Sequence, residues 1–93
     1  MSIQIHIPTP LRPYTDDKAS LAFSANTVQE ALDQLLNSFP VLKKHLYDSK
    51  GRLRSFVNIY VGDEDIRQLD GAQTELEDGD ELTLVPSIAG GLR

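Results

Sequence analysis

The chain has no cysteine and no tryptophan among its 93 residues, and only two histidines. Without cysteine it has no disulfides, no thiolate metal sites and no cysteine nucleophile of its own. His6 falls at an outward position of the first apolar-alternating stretch and His45 in a helical region, with no neighbouring His, Asp or Glu at metal-ligand spacing. Both are expected to be solvated side chains, and no metal site is expected. Positive charge is also scarce: nine Lys and Arg against fourteen Asp and Glu give a formal charge of −5. The largest basic groups are Lys43-Lys44 and the turn holding Lys50, Arg52 and Arg54. That is too little to neutralise a row of phosphates, which argues against a nucleic-acid partner. An acidic surface suits docking onto a basic patch of another protein. No apolar run approaches the roughly 18–20 residues that span a bilayer, and from Ser2 the N-terminal segment alternates rather than forming an apolar leader. The expectation is a cytoplasmic protein without a membrane partner.

What remains is 40% hydrophobic and 25% charged, which suits one small domain with one core. Ile3, Ile5 and Ile7 alternate with Gln4 and His6, the period of a half-buried strand, and Pro8 and Pro10 end it. Leu11 to Asp17 reads as a loop. Ala19, Leu21 and Phe23 then alternate with Ser20, Ala22 and Ser24, so the first two strands are expected to form a hairpin. Thr27 followed by Glu30 is a capping-box spacing. Val28, Ala31, Leu32, Leu35, Leu36 and Phe39 lie on one helical face, and Pro40 stops the helix. Val41 to Leu46 has room for a further short helical turn.

After the Lys50-Gly51 turn, Phe56 to Val61 reads as a third strand. The acids Asp63, Glu64 and Asp65 mark a solvated turn that suits contact with a partner's basic patch, and a short strand is expected at Ile66 and Arg67. Asp78-Gly79 forms a tight turn before the last strand, Leu82 to Val85. The helix has a single apolar stripe, which only the sheet can cover. The fold class is therefore α+β: a mixed sheet with one main helix on one face.

The last residues are of another kind. Ile88, Ala89, Gly90 and Gly91 lead to Leu92 and Arg93, and two adjacent glycines add nothing to a core while losing the most freedom on ordering. The domain is expected to occupy residues 1–87, with a flexible tail over 88–93. Such a tail is either a frayed end or a thin cord that enters a narrow channel in a partner enzyme.

This order of elements resembles the β-grasp arrangement of ubiquitin-like proteins. Leu76-Glu77-Asp78-Gly79-Asp80-Glu81-Leu82, followed by Pro86 and the glycine pair, resembles the end of bacterial sulfur carriers, the group of the molybdopterin-synthase small subunit and the thiamine-pathway carrier. Three blocks, Ile7 to Thr15, Phe56 to Arg67 and Val85 to Gly91, are similar to the carriers of cysteine biosynthesis.

The resemblance implies a protein co-substrate rather than an enzyme, with no catalytic side chains and no bound cofactor. A ubiquitin-activating-type enzyme would use ATP to adenylate Gly91, and a sulfur donor would convert the adenylate to a thiocarboxylate, a strong soft nucleophile. The tail Ile88, Ala89, Gly90 and Gly91 would enter partner active sites. The acceptor would be a pyridoxal-phosphate-dependent cysteine synthase working on an activated serine.

With Leu92 and Arg93 in place the Gly91 carbonyl is held in a peptide bond, so the chain as written reads as a precursor. A JAMM-type zinc peptidase would cut between Gly91 and Leu92. Val85 and Ile88 are the expected partner contacts by resemblance, although the strand pattern alone leaves open whether Val85 faces outward or into the core. The alternatives are a ubiquitin-like modifier joined through Gly91, a carrier for thiamine or molybdopterin synthesis, and a non-covalent interaction module with an inert tail.

Overall fold

A computed structural model describes residues 2–54 and 57–86. Five strands, β1 (Ser2–His6), β2 (Ser20–Ser24), β3 (Val57–Val61), β4 (Glu64–Asp65) and β5 (Glu81–Pro86), form one sheet in the order β2-β1-β5-β3-β4. β1 runs parallel to β5, and the other neighbours are antiparallel. The main helix α1 (Val28–Ser38) and a one-turn helix α2 (Lys43–Leu46) complete the β-grasp fold.

The alternation expected in the first hairpin is present: Ile3, Ile5 and Ile7 are buried, and Leu21 and Phe23 pack against them from β2. On α1 the buried side chains are Val28, Ala31, Leu32 and Leu35, and they meet Ile59, Leu82 and Leu84 of the sheet in the same core. Leu36 and Phe39 are partly buried at its margin. The helix covers one sheet face because that face carries every inward side chain of the central strands.

The helix starts where the capping spacing predicts. The Glu30 N–H donates to Oγ1 of Thr27 at 3.2 Å, but the Glu30 carboxylate accepts from the N–H of Asn26 at 2.9 Å, one residue before the cap. This start is tied to the segment ahead of β5, since the Val28 N–H donates to the Thr74 carbonyl and the Leu76 N–H to that of Asn26. At its other end the helix gives way at Phe39 to a 3₁₀ turn, Pro40–Leu42, which leads into α2.

Two expectations are corrected. The loop expected at Leu11 to Asp17 is largely a 3₁₀ helix, Thr9–Tyr14, because Pro10 and Pro13 have backbone angles suited to it and Leu11 is buried as an anchor. It ends in Asp16 and Asp17, both at positive φ, a conformation that aspartate tolerates better than most residues. The short strand expected at Ile66 and Arg67 lies two residues earlier, at Glu64–Asp65. Ile66 instead turns into the core through a 3₁₀ helix that Asp65 caps by accepting from the Arg67 N–H. Phe56, expected to open the third strand, lies outside the described residues.

Before β5 the chain reverses at Glu77–Asp80. Gly79 sits there at φ +90°, and its N–H donates to the Ser2 carbonyl at 2.7 Å, which joins the turn to the start of β1.

Candidate functional site

β5 is the central strand and the one that leads into the tail. Its pairing with β3 sets Val85 opposite Asn58, Leu84 opposite Ile59 and Thr83 opposite Tyr60. Leu82 and Leu84 therefore enter the core, while Glu81, Thr83 and Val85 face away from the helix. Val85 is 38% exposed and Leu84 only 2%, so the phase that the sequence left open is outward for Val85.

Polar groups surround this apolar spot on the uncovered face. Arg67 Nη2 donates to Oδ1 of Asn58 and to Oδ2 of Asp65, both at 2.7 Å. Hydrogen bonds from the Arg67 side chain and N–H hold the Asp65 carboxyl below the usual carboxylate range, and the same carboxylate raises the Arg67 guanidinium. Toward the other end of β5, His6 Nε2 lies 2.5 Å from Oε1 of Glu81, tying β1 to β5 through side chains. Asp63 and Glu64 diverge from Asp65. They line a shallow groove with Glu75, Glu77, Asp80 and Glu81.

Pro86 is paired with Val57 at the far end of the strand. Beside it, Pro10, Leu11, Tyr14, Lys44, His45 and Arg54 line a cleft of about 360 Å³. The Tyr14 ring stacks on His45 with centroids 4.4 Å apart. His45 is not the solvated residue expected: its Nε2 is shielded from solvent and has no hydrogen-bond partner among the described residues. The 3₁₀ helix brings Tyr14 over it. Among the described residues no group of three or more His, Cys, Asp or Glu could hold a metal ion.

The model of the ThiS family matches residues 5–91. The chain belongs to this family of ubiquitin-like sulfur carriers. Sulfur carrier protein CysO of Mycobacterium tuberculosis (strain ATCC 25618 / H37Rv) is 40% identical over 93 residues, which cover 98% of this chain and 100% of that protein. A chain in the crystal structure of the Amycolatopsis orientalis BexX/CysO complex is 37% identical with TM-score 0.85, over 96% of this chain and 99% of that one. The solution structure of small archaeal modifier protein 1 from Methanosarcina acetivorans is 28% identical with TM-score 0.84, over 97% of this chain and 96% of that one.

In this ThiS-family chain Val85 stands outward on the open face. Ile88, Ala89, Gly90, Gly91 and Leu92 lie outside the described residues. Sequence reasoning missed the Asn58-Arg67-Asp65 network and the cleft beside Pro86. The first had a faint signal, an Asp two residues before an Arg in a turn. The second had none, because its walls come from four separate segments.

Proposed function

We propose that this chain carries sulfur as a thiocarboxylate on Gly91 and delivers it to cysteine synthesis. The observation that carries this is the 40% identity with a protein named as the sulfur carrier CysO across nearly the whole chain, in a family match that runs through Gly91. In this reading residues 88–93 are the arm that partner enzymes receive, and residues 1–87 supply recognition.

A JAMM-type zinc peptidase first hydrolyses the Gly91–Leu92 bond and frees the glycine carboxylate. A carboxylate is a poor acyl donor because its leaving group would be oxide. A ubiquitin-activating-type enzyme therefore directs a Gly91 oxygen onto the α-phosphorus of ATP, and pyrophosphate leaves. A hydrosulfide-level donor then attacks the carbonyl carbon, the bond to the AMP oxygen breaks, and AMP departs with its electrons. In a pyridoxal-phosphate-dependent synthase the thiocarboxylate sulfur takes the place of the activated oxygen on the β-carbon of an activated serine: the C–O bond breaks, the activating group leaves with that oxygen and the bonding electrons, and the C–S bond forms. Hydrolysis of the acyl bond releases cysteine and regenerates the Gly91 carboxylate.

The chain provides no acid, base, metal or bound cofactor for these steps. Its part is the thin Ile88–Gly91 arm and the contact surface at Val85 and Ile88, with the Asn58-Arg67-Asp65 network holding the rim beside Val85 in one geometry. The likeness to a small archaeal modifier protein favours a second reading, in which Gly91 ends in an isopeptide bond to a lysine after the same activation.

ATP–pyrophosphate exchange with the cognate activating enzyme tests the activation step. A chain ending at Gly91 should support exchange, whereas the chain through Arg93 and a Gly91→Val variant should not. Equal exchange by the chains ending at Gly91 and at Arg93 would remove the precursor step from the scheme.

A further inference from the structure

Net charge suggests a basic partner surface, yet charge is segregated along the chain. Nine of the fourteen acids fall between Asp63 and Glu81, with Arg67 the single base among them, while seven of the nine bases fall between Arg12 and Arg54. The root of the tail lies against the basic part. Lys44 and Arg54 line the cleft that contains Pro86, and both also line an adjoining cleft with Pro40, Val41 and Lys43. The Nε of Arg54 donates to the Lys44 carbonyl at 3.1 Å, so the two cations form one wall between the clefts. Tyr14, 37% exposed, flanks the wall on one side and Val41, 41% exposed, on the other. Asp48 lines the second cleft as well; its Oδ1 accepts from the N–H groups of Lys50 and Arg52, and the charge of Arg54 also acts on its carboxylate, so Lys44 is the principal cation of the wall.

We infer that this double cleft is a docking groove for an acidic segment of the adenylating enzyme: carboxylates on Lys44 and Arg54, apolar side chains against Tyr14 and Val41. The inference rests on the sulfur-carrier reading. From Pro86 to Gly91 is five residues, a reach of about 17 Å at full extension. An enzyme acting on Gly91 therefore brings its surface over the cleft that Pro86 helps to form. Two cations meeting that surface select carboxylates. The acidic groove at Glu77 and Asp80 lies at the opposite end of β5.

The test is the affinity of the full chain for its cognate adenylating enzyme, measured by calorimetry at low and high salt. Lys44→Glu and Arg54→Glu should each weaken binding on the order of tenfold and flatten its salt dependence, while Glu77→Lys leaves it unchanged. Lys44 is exposed, so its variant decides the matter even if Arg54→Glu fails to fold. Unaltered affinity in Lys44→Glu overturns the groove and leaves the carrier reading intact. Tighter binding by that variant also overturns it, and assigns the cleft to the chain's own tail carboxylate. A wild-type chain that does not bind at all removes the carrier reading and the groove with it.

Discussion

Val85 faces Asn58 across the β5–β3 ladder on the side of the sheet that α1 does not cover, while the next pair, Leu84 and Ile59, is sealed in the core. One step along the strand thus separates a residue available to partners from one that holds the fold. Val85→Asp should cost no more than about 1 kcal/mol of unfolding free energy, the span of strand propensity, and should weaken binding to the activating enzyme. Leu84→Ala should cost about 2–5 kcal/mol. Urea unfolding of both variants, beside a binding titration of the first, checks the pair. A collapse of Val85→Asp would assign it a packing role.

Thr27 caps α1 at the point where the helix start is bridged to Glu75. Thr27→Ala should destabilise the protein by about 1 kcal/mol. Hydrogen exchange should show the loss first at the amides of Val28 and Glu30. A variant as stable as the parent would mean that the bridge alone fixes the helix start.

Much of this architecture is legible in the sequence because each signal is local. The isoleucines of β1 show their period, Thr27 and Glu30 mark the cap, and Pro40 marks the stop. The misplaced features depend on tertiary packing. Leu11 pulls an expected loop into a 3₁₀ helix, and Ile66, buried, shifts the short strand back to Glu64–Asp65. The outward phase of Val85 became visible only with its pairing to Asn58. The cleft at the tail root joins Tyr14, His45, Arg54 and Pro86, residues distant in sequence whose meeting no local pattern announces.

Asp65 gives the open face a pH dependence. Its carboxyl is held low by Arg67, so a depressed folded pKa means that the ionised form stabilises the fold. That contribution is complete above the ordinary aspartate value of about 3.9 and is lost as pH falls through the lower folded value. Carboxyl-carbon NMR should find Asp65 titrating below ordinary aspartates, and Arg67→Ala should move it back up. An Asp65 that titrates normally in the parent protein would show that the pair is not formed in solution.

Processing should be confined to the tail. β5 is paired with β3 from Leu82 to Pro86 and with β1 from Glu81 to Thr83, and cleavage within it would require the central strand to leave the sheet. A JAMM-type peptidase with its zinc should release Leu92-Arg93 and nothing else. A product ending within β5 would contradict this protection.

The central claim is that sulfur resides on Gly91, and the intact mass of the protein recovered from its native cell tests it most directly. The account predicts a chain ending at Gly91 in which one carboxylate oxygen is replaced by sulfur. A chain still carrying Leu92 and Arg93 with no sulfur added, or one recovered only as a branched conjugate through Gly91, would contradict it.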